Sequence, residues 1–173
     1  AERASRLRRY GINPKNFRDK KGEINSQSEI NEVGWSASLN NLHAALALKQ
    51  LTSLSVRKKR TCLIAQKLTN AFKNFSNLKS VQPIDSAIPA YWGYLLLSSK
   101  RNDLLVYLKN NGVHSSCLHP RNDLYRGFGT KLCNLPGTEL ALSSMLAIPC
   151  GWWLSDLQVD NLIKIINKFH EIS

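Results

Sequence analysis

The spacing of apolar residues divides the chain into four parts: a short opening helix, a polar stretch without period, one very long helix, and a closing series of alternating strands and helices. The long helix is the strongest signal. Leu39, Leu42, Ala45 and Leu46 share one face, and Leu63, Ile64, Leu68, Ala71, Phe72 and Phe75 continue at i, i+3, i+4 spacing. Neither Gly nor Pro interrupts the run from Asn40 to Phe75, and Asn40 or Ser38 is placed to cap its start. A helix of about 35 residues, rising ~1.5 Å per residue, spans roughly 50 Å. That is enough to link two domains or line a subunit interface, with Leu54-Ser55 as a place for a bend.

Before it, residues 1–10 read as the end of a helix closed by Gly11, and "INPKNFRDKKGEINSQSEINEVGW" as a long loop rich in Asn, Ser, Gly and Lys. After it, "PAYWGYLLLSS" predicts a strand. "KRNDLLVYLKNNG" predicts a helix capped by Ser99 and stopped at Gly112. "VHSSCLH" is a second strand candidate, "PRNDLYRGFGTKLCNLPG" a loop, "TELALSSM" a short helix and "LAIPC" a short buried strand. The final helix opens with a capping box, Ser155 with Gln158, and buries Val159, Leu162, Ile163, Ile166 and Phe169. The expected fold is therefore α/β or α+β: a small sheet with helices, attached to a long helix. The expected division is 1–38 as the end of a preceding domain with its loop, 39–76 as the linking helix, and 77–173 as a small α/β domain.

Composition adds a partner question. The net charge is +12, and residues 1–22 hold eight Lys or Arg against two acids. "RKKR" (57–60) adds four more, but inside a helical pattern, where a charge run is usually a solvated face. Nucleic acid, a phosphate-bearing small ligand, or an acidic neighbouring part of the protein would each answer that charge. Aromatics hardly interleave the basic start, which makes nucleic acid the weakest of the three. No run of ~18 apolar residues exists, so no membrane helix is expected. Cys62, Cys117, Cys133 and Cys150 lack the paired spacing of a metal or disulfide framework and read as reduced thiols, with the cytoplasm as the default compartment. The start "AERASRLRRYG" resembles the middle of a helix, so the chain is expected to be the back part of something longer.

A self-contained catalytic set is missing: there is no P-loop, no G-x-S-x-G, no H-E-x-x-H and no G-x-G-x-x-G. No catalytic residue and no metal ligand set is assigned. The densest polar stretch is "HPRNDLYRGFG", with His119, Arg121, Asn122, Asp123, Tyr125 and Arg126. An arginine fork suits phosphate or carboxylate, and Asn and Asp suit sugar hydroxyls; the plainer alternative is a turn. For the adjacent Trp152 and Trp153, packing into the core is favoured over stacking on a ligand. His43, His114 and His170 read as structural or solvated.

Taken in order, "RLRRYGI", "FRDKKGEIN", "EVGWSASLNNLHAALALKQL", "RKKR", "LKNNGVHSSCLHPRNDLY", "LPGTE" and "IPCGWWLSD" resemble the C-terminal half of the DegT/DnrJ/EryC1/StrS sugar aminotransferases. No single motif is decisive; the ordered set over nearly the whole chain is specific. The resemblance implies the C-terminal part of a fold type I enzyme dependent on pyridoxal 5'-phosphate. It also implies a homodimer whose subunits share each active site. An amino group would pass from an amino acid, usually glutamate, to a keto sugar on a nucleotide. It further implies Ser36, Ser38 and Asn40 near the cofactor phosphate, and His119, Arg121, Asn122 and Asp123 toward the substrate.

The departures are also specific. Many members carry Asn and Arg where this chain has Ser36 and Ser38, so the arginine charge is gone. None of the 14 lysines stands in the family's cofactor-lysine motif, and that lysine is expected upstream of Ala1. The chain alone is therefore expected not to transaminate. Two other readings stand beside this one: a non-catalytic module that binds a partner through its exposed long helix, and a basic nucleic-acid-binding domain.

Overall fold

The computed structural model describes residues 1–118, 120–125, 127 and 133–172. They form two compact units, Ala1–Thr52 and Ser53–Ser173, with the division falling inside the long helix.

In the first unit, α1 (Glu2–Leu7) ends in a turn through Tyr10 and Gly11, both at positive φ. Residues 35–37 then run back along it. Trp35 N–H donates to Leu7 O at 2.7 Å, Tyr10 N–H to Trp35 O at 3.1 Å and Ala37 N–H to Arg8 O at 2.9 Å. Two glycines permit this approach. A Cβ on Gly34 would lie 2.1 Å from Gly11 N and 2.6 Å from Leu7 O, and one on Gly11 would lie 2.0 Å from Glu32 O. The long loop expected here is held by hydrogen bonds. Asp19 Oδ1 accepts from Lys21 N–H and Glu23 N–H at 2.8 and 2.9 Å, and Gly22 turns the chain at φ +83.

Helix α2 (Asn41–Phe72) begins where its capping residue directs, with His43 N–H donating to Asn40 Oδ1 at 2.9 Å. Its two halves differ. Thr61, Ile64, Ala65, Leu68 and Phe72 form a buried stripe, whereas Leu42, Leu46, Leu48 and Leu51 are exposed.

The second unit is built on a three-stranded antiparallel sheet, β1 (Leu78–Ser80), β2 (Tyr94–Ser98) and β3 (Met145–Ile148), in the order β1-β2-β3. All pairs being antiparallel makes the unit α+β. Leu96 of the central strand stands opposite Ser80 on one side and Leu146 on the other. Strand β2 alternates as expected of a half-covered strand, with Tyr94, Leu96 and Ser98 buried. The Tyr94 hydroxyl meets Thr69 Oγ1 of α2 at 2.6 Å.

Helix α3 (Arg101–Asn110) supplies Leu104 and Leu108, and α5 (Asp156–Ile172) supplies Val159, Leu162, Ile166 and Phe169. Together with the α2 stripe and the sheet these make one contiguous core. Each such fully buried side chain contributes about 1.5–3 kcal/mol over its exposed state. The capping box of α5 is reciprocal: Ser155 N–H donates to Gln158 Oε1 at 2.9 Å, and Gln158 N–H to Ser155 Oγ at 3.2 Å. Among the described residues no helix is long and apolar enough to cross a membrane.

Three expectations are corrected. "VHSSCLH" is not a strand among its described residues; it contributes one bridge, Ser116 with Ala147, to the edge of β3. Helix α3 is not capped by Ser99: its N-cap is Lys100, without a side-chain hydrogen bond, and strand β1, which was not expected, is found besides. Neither Trp152 nor Trp153 enters the core: they are 45% and 60% exposed, because the turn after β3 lifts both rings outward.

Candidate functional site

The candidate residues fall into two clusters, one in each compact unit.

The first surrounds the start of α2. Ser36, Ser38 and Asn40 are all exposed. The Ser36 backbone bridges to Arg9, which fixes the approach to the helix. Asn40 Oδ1 is engaged as the helix cap, which leaves its amide nitrogen as the group it can offer. No lysine or arginine stands between Gly34 and Asn40 in sequence, so the groups this stretch itself offers an anion are hydroxyls and the partial positive charge of the helix end, with Arg9 paired beside Ser36. Nearby, Glu32 accepts from Arg3 Nε at 2.9 Å and Arg6 Nη2 at 3.3 Å. The Arg3 hydrogen bond, then the Arg6 one, holds the Glu32 carboxyl below its ordinary range. Lys15 pairs with Glu2 at 2.8 Å. Part of the basic start is thus matched by acids of the same unit.

The second cluster is the loop after β2 and α3. Arg121 and Asn122–Leu124, a single 3-10 turn, precede α4 (Pro136–Ser144). Arg121 is not a free fork. Its Nε donates to Asp123 Oδ1 at 2.8 Å and its Nη2 to Asp123 Oδ2, the two-point geometry of a guanidinium on a carboxylate. Nη1 reaches Glu139 Oε1 at 2.7 Å and Nη2 the Cys133 carbonyl at 2.6 Å. Cys133 N–H donates in turn to Asp123 Oδ2 at 3.2 Å. The Asp123 carboxyl is held far below the usual aspartate range, first by the Arg121 hydrogen bonds and then by the Cys133 amide. Arg121 is pushed correspondingly up, chiefly by Asp123.

Arg121 and Asp123 therefore clasp the two ends of this loop together, and Asn122 between them is exposed. His119 lies outside the described residues. The clasp borders a cavity of about 980 Å³ lined also by Tyr125, Thr138 and Met145. Glu139 and Cys133 were not singled out by sequence reasoning. The nearest signal was "LPGTE", read as loop and helix start and as one stretch of the family resemblance, with no role given to Glu139.

Chemically, the first cluster can donate hydrogen bonds to an anion. The second presents Asn122 and a hydrogen-bonded rim of Arg121, Asp123 and Glu139 to a polar ligand.

Comparison with known proteins gives these clusters a context. Residues 1–167 match the model of the DegT/DnrJ/EryC1/StrS aminotransferase family. No curated protein matches the sequence. Among solved structures, the sugar aminotransferase CalS13 from Micromonospora echinospora is similar at TM-score 0.83 and 22% identity, over 94% of this chain and 43% of that one. AtS13 from Actinomadura melliaura is similar at TM-score 0.85 and 20% identity, over 96% and 43%. The Helicobacter pylori aminotransferase PseC, involved in the biosynthesis of pseudoaminic acid, is similar at 0.79 and 18%, over 98% and 45%. At these identities the structural likeness speaks for the fold, and the chain spans less than half the length of each of these proteins. By the match over nearly its whole length, the chain belongs to the DegT/DnrJ/EryC1/StrS aminotransferase family.

Proposed function

We propose that this chain forms the C-terminal part of a pyridoxal-phosphate-dependent aminotransferase that transfers an amino group from an amino acid to a nucleotide-linked keto sugar, in amino-sugar biosynthesis. The observation that carries the reading is a family match that runs through both compact units. A similar fold named as a sugar aminotransferase supports the sugar as acceptor.

The cofactor, when bound, supplies an electron sink for moving the amino group. This chain's own residues would work around it. Ser36 and Ser38 would donate hydroxyl hydrogen bonds to the cofactor phosphate of a partner subunit, helped by the start of α2 and by the Asn40 amide nitrogen. Exposed hydroxyls at the start of a long helix fit a phosphate group. Asn122 would meet a sugar hydroxyl, on a loop that Arg121, Asp123 and Glu139 hold in shape. His119 belongs to the same proposed substrate face. The lysine and the aspartate that anchor the cofactor are supplied, in this proposal, from outside these 173 residues, and the working enzyme is a cytoplasmic homodimer.

The test is an assay of transamination with glutamate and a nucleotide keto sugar. The chain alone should be inactive, and activity should appear when the lysine-bearing large domain is fused ahead of Ala1. Turnover by the 173 residues alone would overturn the proposal. A second reading, a non-catalytic module that associates through α2, is favoured by one observation: Leu42 and Leu46 are 69% and 54% exposed.

A further inference from the structure

The turn between β3 and α5 holds an arrangement that the aminotransferase reading does not use. The six-membered ring of Trp153 lies across Gly151. A Cβ at that glycine would sit 2.2, 2.3 and 2.5 Å from Cη2, Cζ3 and Cζ2 of the ring. Three adjoining ring atoms at nearly equal distance mean that one face of the indole rests on the Gly151 backbone. The ring is nonetheless 60% exposed, so its other face is open. Trp152 meets it nearly edge-on, with centroids 6.2 Å apart and planes at 83°, and Trp152 is itself held under the Arg57 guanidinium at 4.3 Å. Trp153 is therefore a braced platform rather than a stray surface aromatic.

That platform borders a cavity of about 640 Å³, within the size range of small-molecule sites. Its floor is apolar, through Val113, Leu162 and Ile165. Its rim carries Asn111, His114, Gln158 and Asn161. Asn111 Nδ2 donates to Tyr107 O at 2.8 Å, leaving Oδ1 as its acceptor. Gln158 Oε1 caps α5, leaving Nε2 as its donor. The rim thus offers both hydrogen-bonding senses.

In a chain with 24 Lys and Arg and 12 Asp and Glu, none of the described residues lining this cavity is one of these four types. An anion or a cation would find no Lys, Arg, Asp or Glu among these residues, and His114 is the titratable side chain of the rim. A neutral ring with one C–H face and a periphery of hydroxyls would find an aromatic plane, an apolar floor and planar amides. From this combination we infer that the Trp153 cavity is a binding cleft for a neutral pyranoside. It shares no residue with the cavity beside Arg121 and does not depend on the aminotransferase reading.

The test is a titration of the 173-residue chain, labelled with 15N, with the methyl glycosides of glucose, galactose, mannose and N-acetylglucosamine. Adenosine and glucose 1-phosphate serve as controls. At least one glycoside should shift the Trp153 indole N–H saturably, while the Trp92 indole, an internal reference elsewhere in the chain, stays still. Trp153→Ala removes an exposed ring and should weaken binding at least about tenfold. Gln158→Glu keeps the capping acceptor, removes the amide donor and should weaken binding several-fold. The proposal is overturned if no glycoside moves Trp153, if adenosine does so and the glycosides do not, or if Trp153→Ala binds as well as the parent chain.

Discussion

Gly34 has no room for a methyl group against Gly11 N and Leu7 O. Gly34→Ala should therefore push residues 35–37 off α1 and destabilise the first unit by about 1–3 kcal/mol, the range for forced overpacking. Faster proteolysis between residues 12 and 36, with the core of the second unit still protected, is the expected readout.

The Arg121–Asp123 clasp gives a pH prediction. A carboxyl whose folded value is depressed contributes stability above its ordinary pKa and loses it as pH falls through the lowered folded value. The clasp should thus hold from neutral pH through the ordinary aspartate range, about pH 4, and release only in stronger acid. Asp123→Asn should loosen the loop at every pH at which the clasp otherwise holds, read as faster exchange of the Cys133 amide.

The thiols separate by burial. Burial pushes Cys150 up to about 11, with Cys62 adding to the effect, whereas Cys133 is exposed. The raised value means that the neutral thiol stabilises the fold below the ordinary cysteine range, and that this contribution fades as pH rises toward about 11. At neutral pH a thiol reagent should label Cys133 first and Cys150 last, as mass mapping would show.

At the scale of elements, what the sequence disclosed was periodicity and caps. The buried stripe of α5 was legible because an amphipathic helix repeats its apolar residues, and its start because Ser155 and Gln158 satisfy each other's backbone amides. Ser155→Ala should cost about 1 kcal/mol in urea unfolding, the usual worth of such a cap. Strand β1 was not legible because three residues carry too little alternation, and its pairing with β2 is set by tertiary contact. "VHSSCLH" misled in the opposite direction, with strand-like composition but only the Ser116 bridge to Ala147. The candidate site was legible as a polar loop but not as a clasp. Glu139 is 18 residues from Arg121 and becomes its partner only once α4 is placed. The tryptophans deceived for a similar reason: bulk predicts burial, and the braced outward turn at Gly151 cannot be seen in composition.

At the scale of the whole molecule, the question is what the unburied apolar residues imply. The first half of α2 exposes Leu42, Leu46, Leu48 and Leu51, while its second half is the backbone of a core. Four exposed leucines within ten residues of one helix are more than scattered surface apolars, and such a concentration favours association in water. Net charge of +12 opposes it through long-range repulsion, which salt screens within about 8–10 Å near physiological ionic strength. The two effects have opposite salt dependence to that of a complex held by charge. Sedimentation velocity of the isolated chain should show association that grows with concentration and strengthens as salt is raised. Leu46→Glu should weaken it without unfolding the chain, because that side chain is exposed. A monomer at all concentrations and salts would remove the partner-binding reading of α2. Association that weakens steeply with salt would mean instead that opposite charges, and not the leucines, hold the copies together.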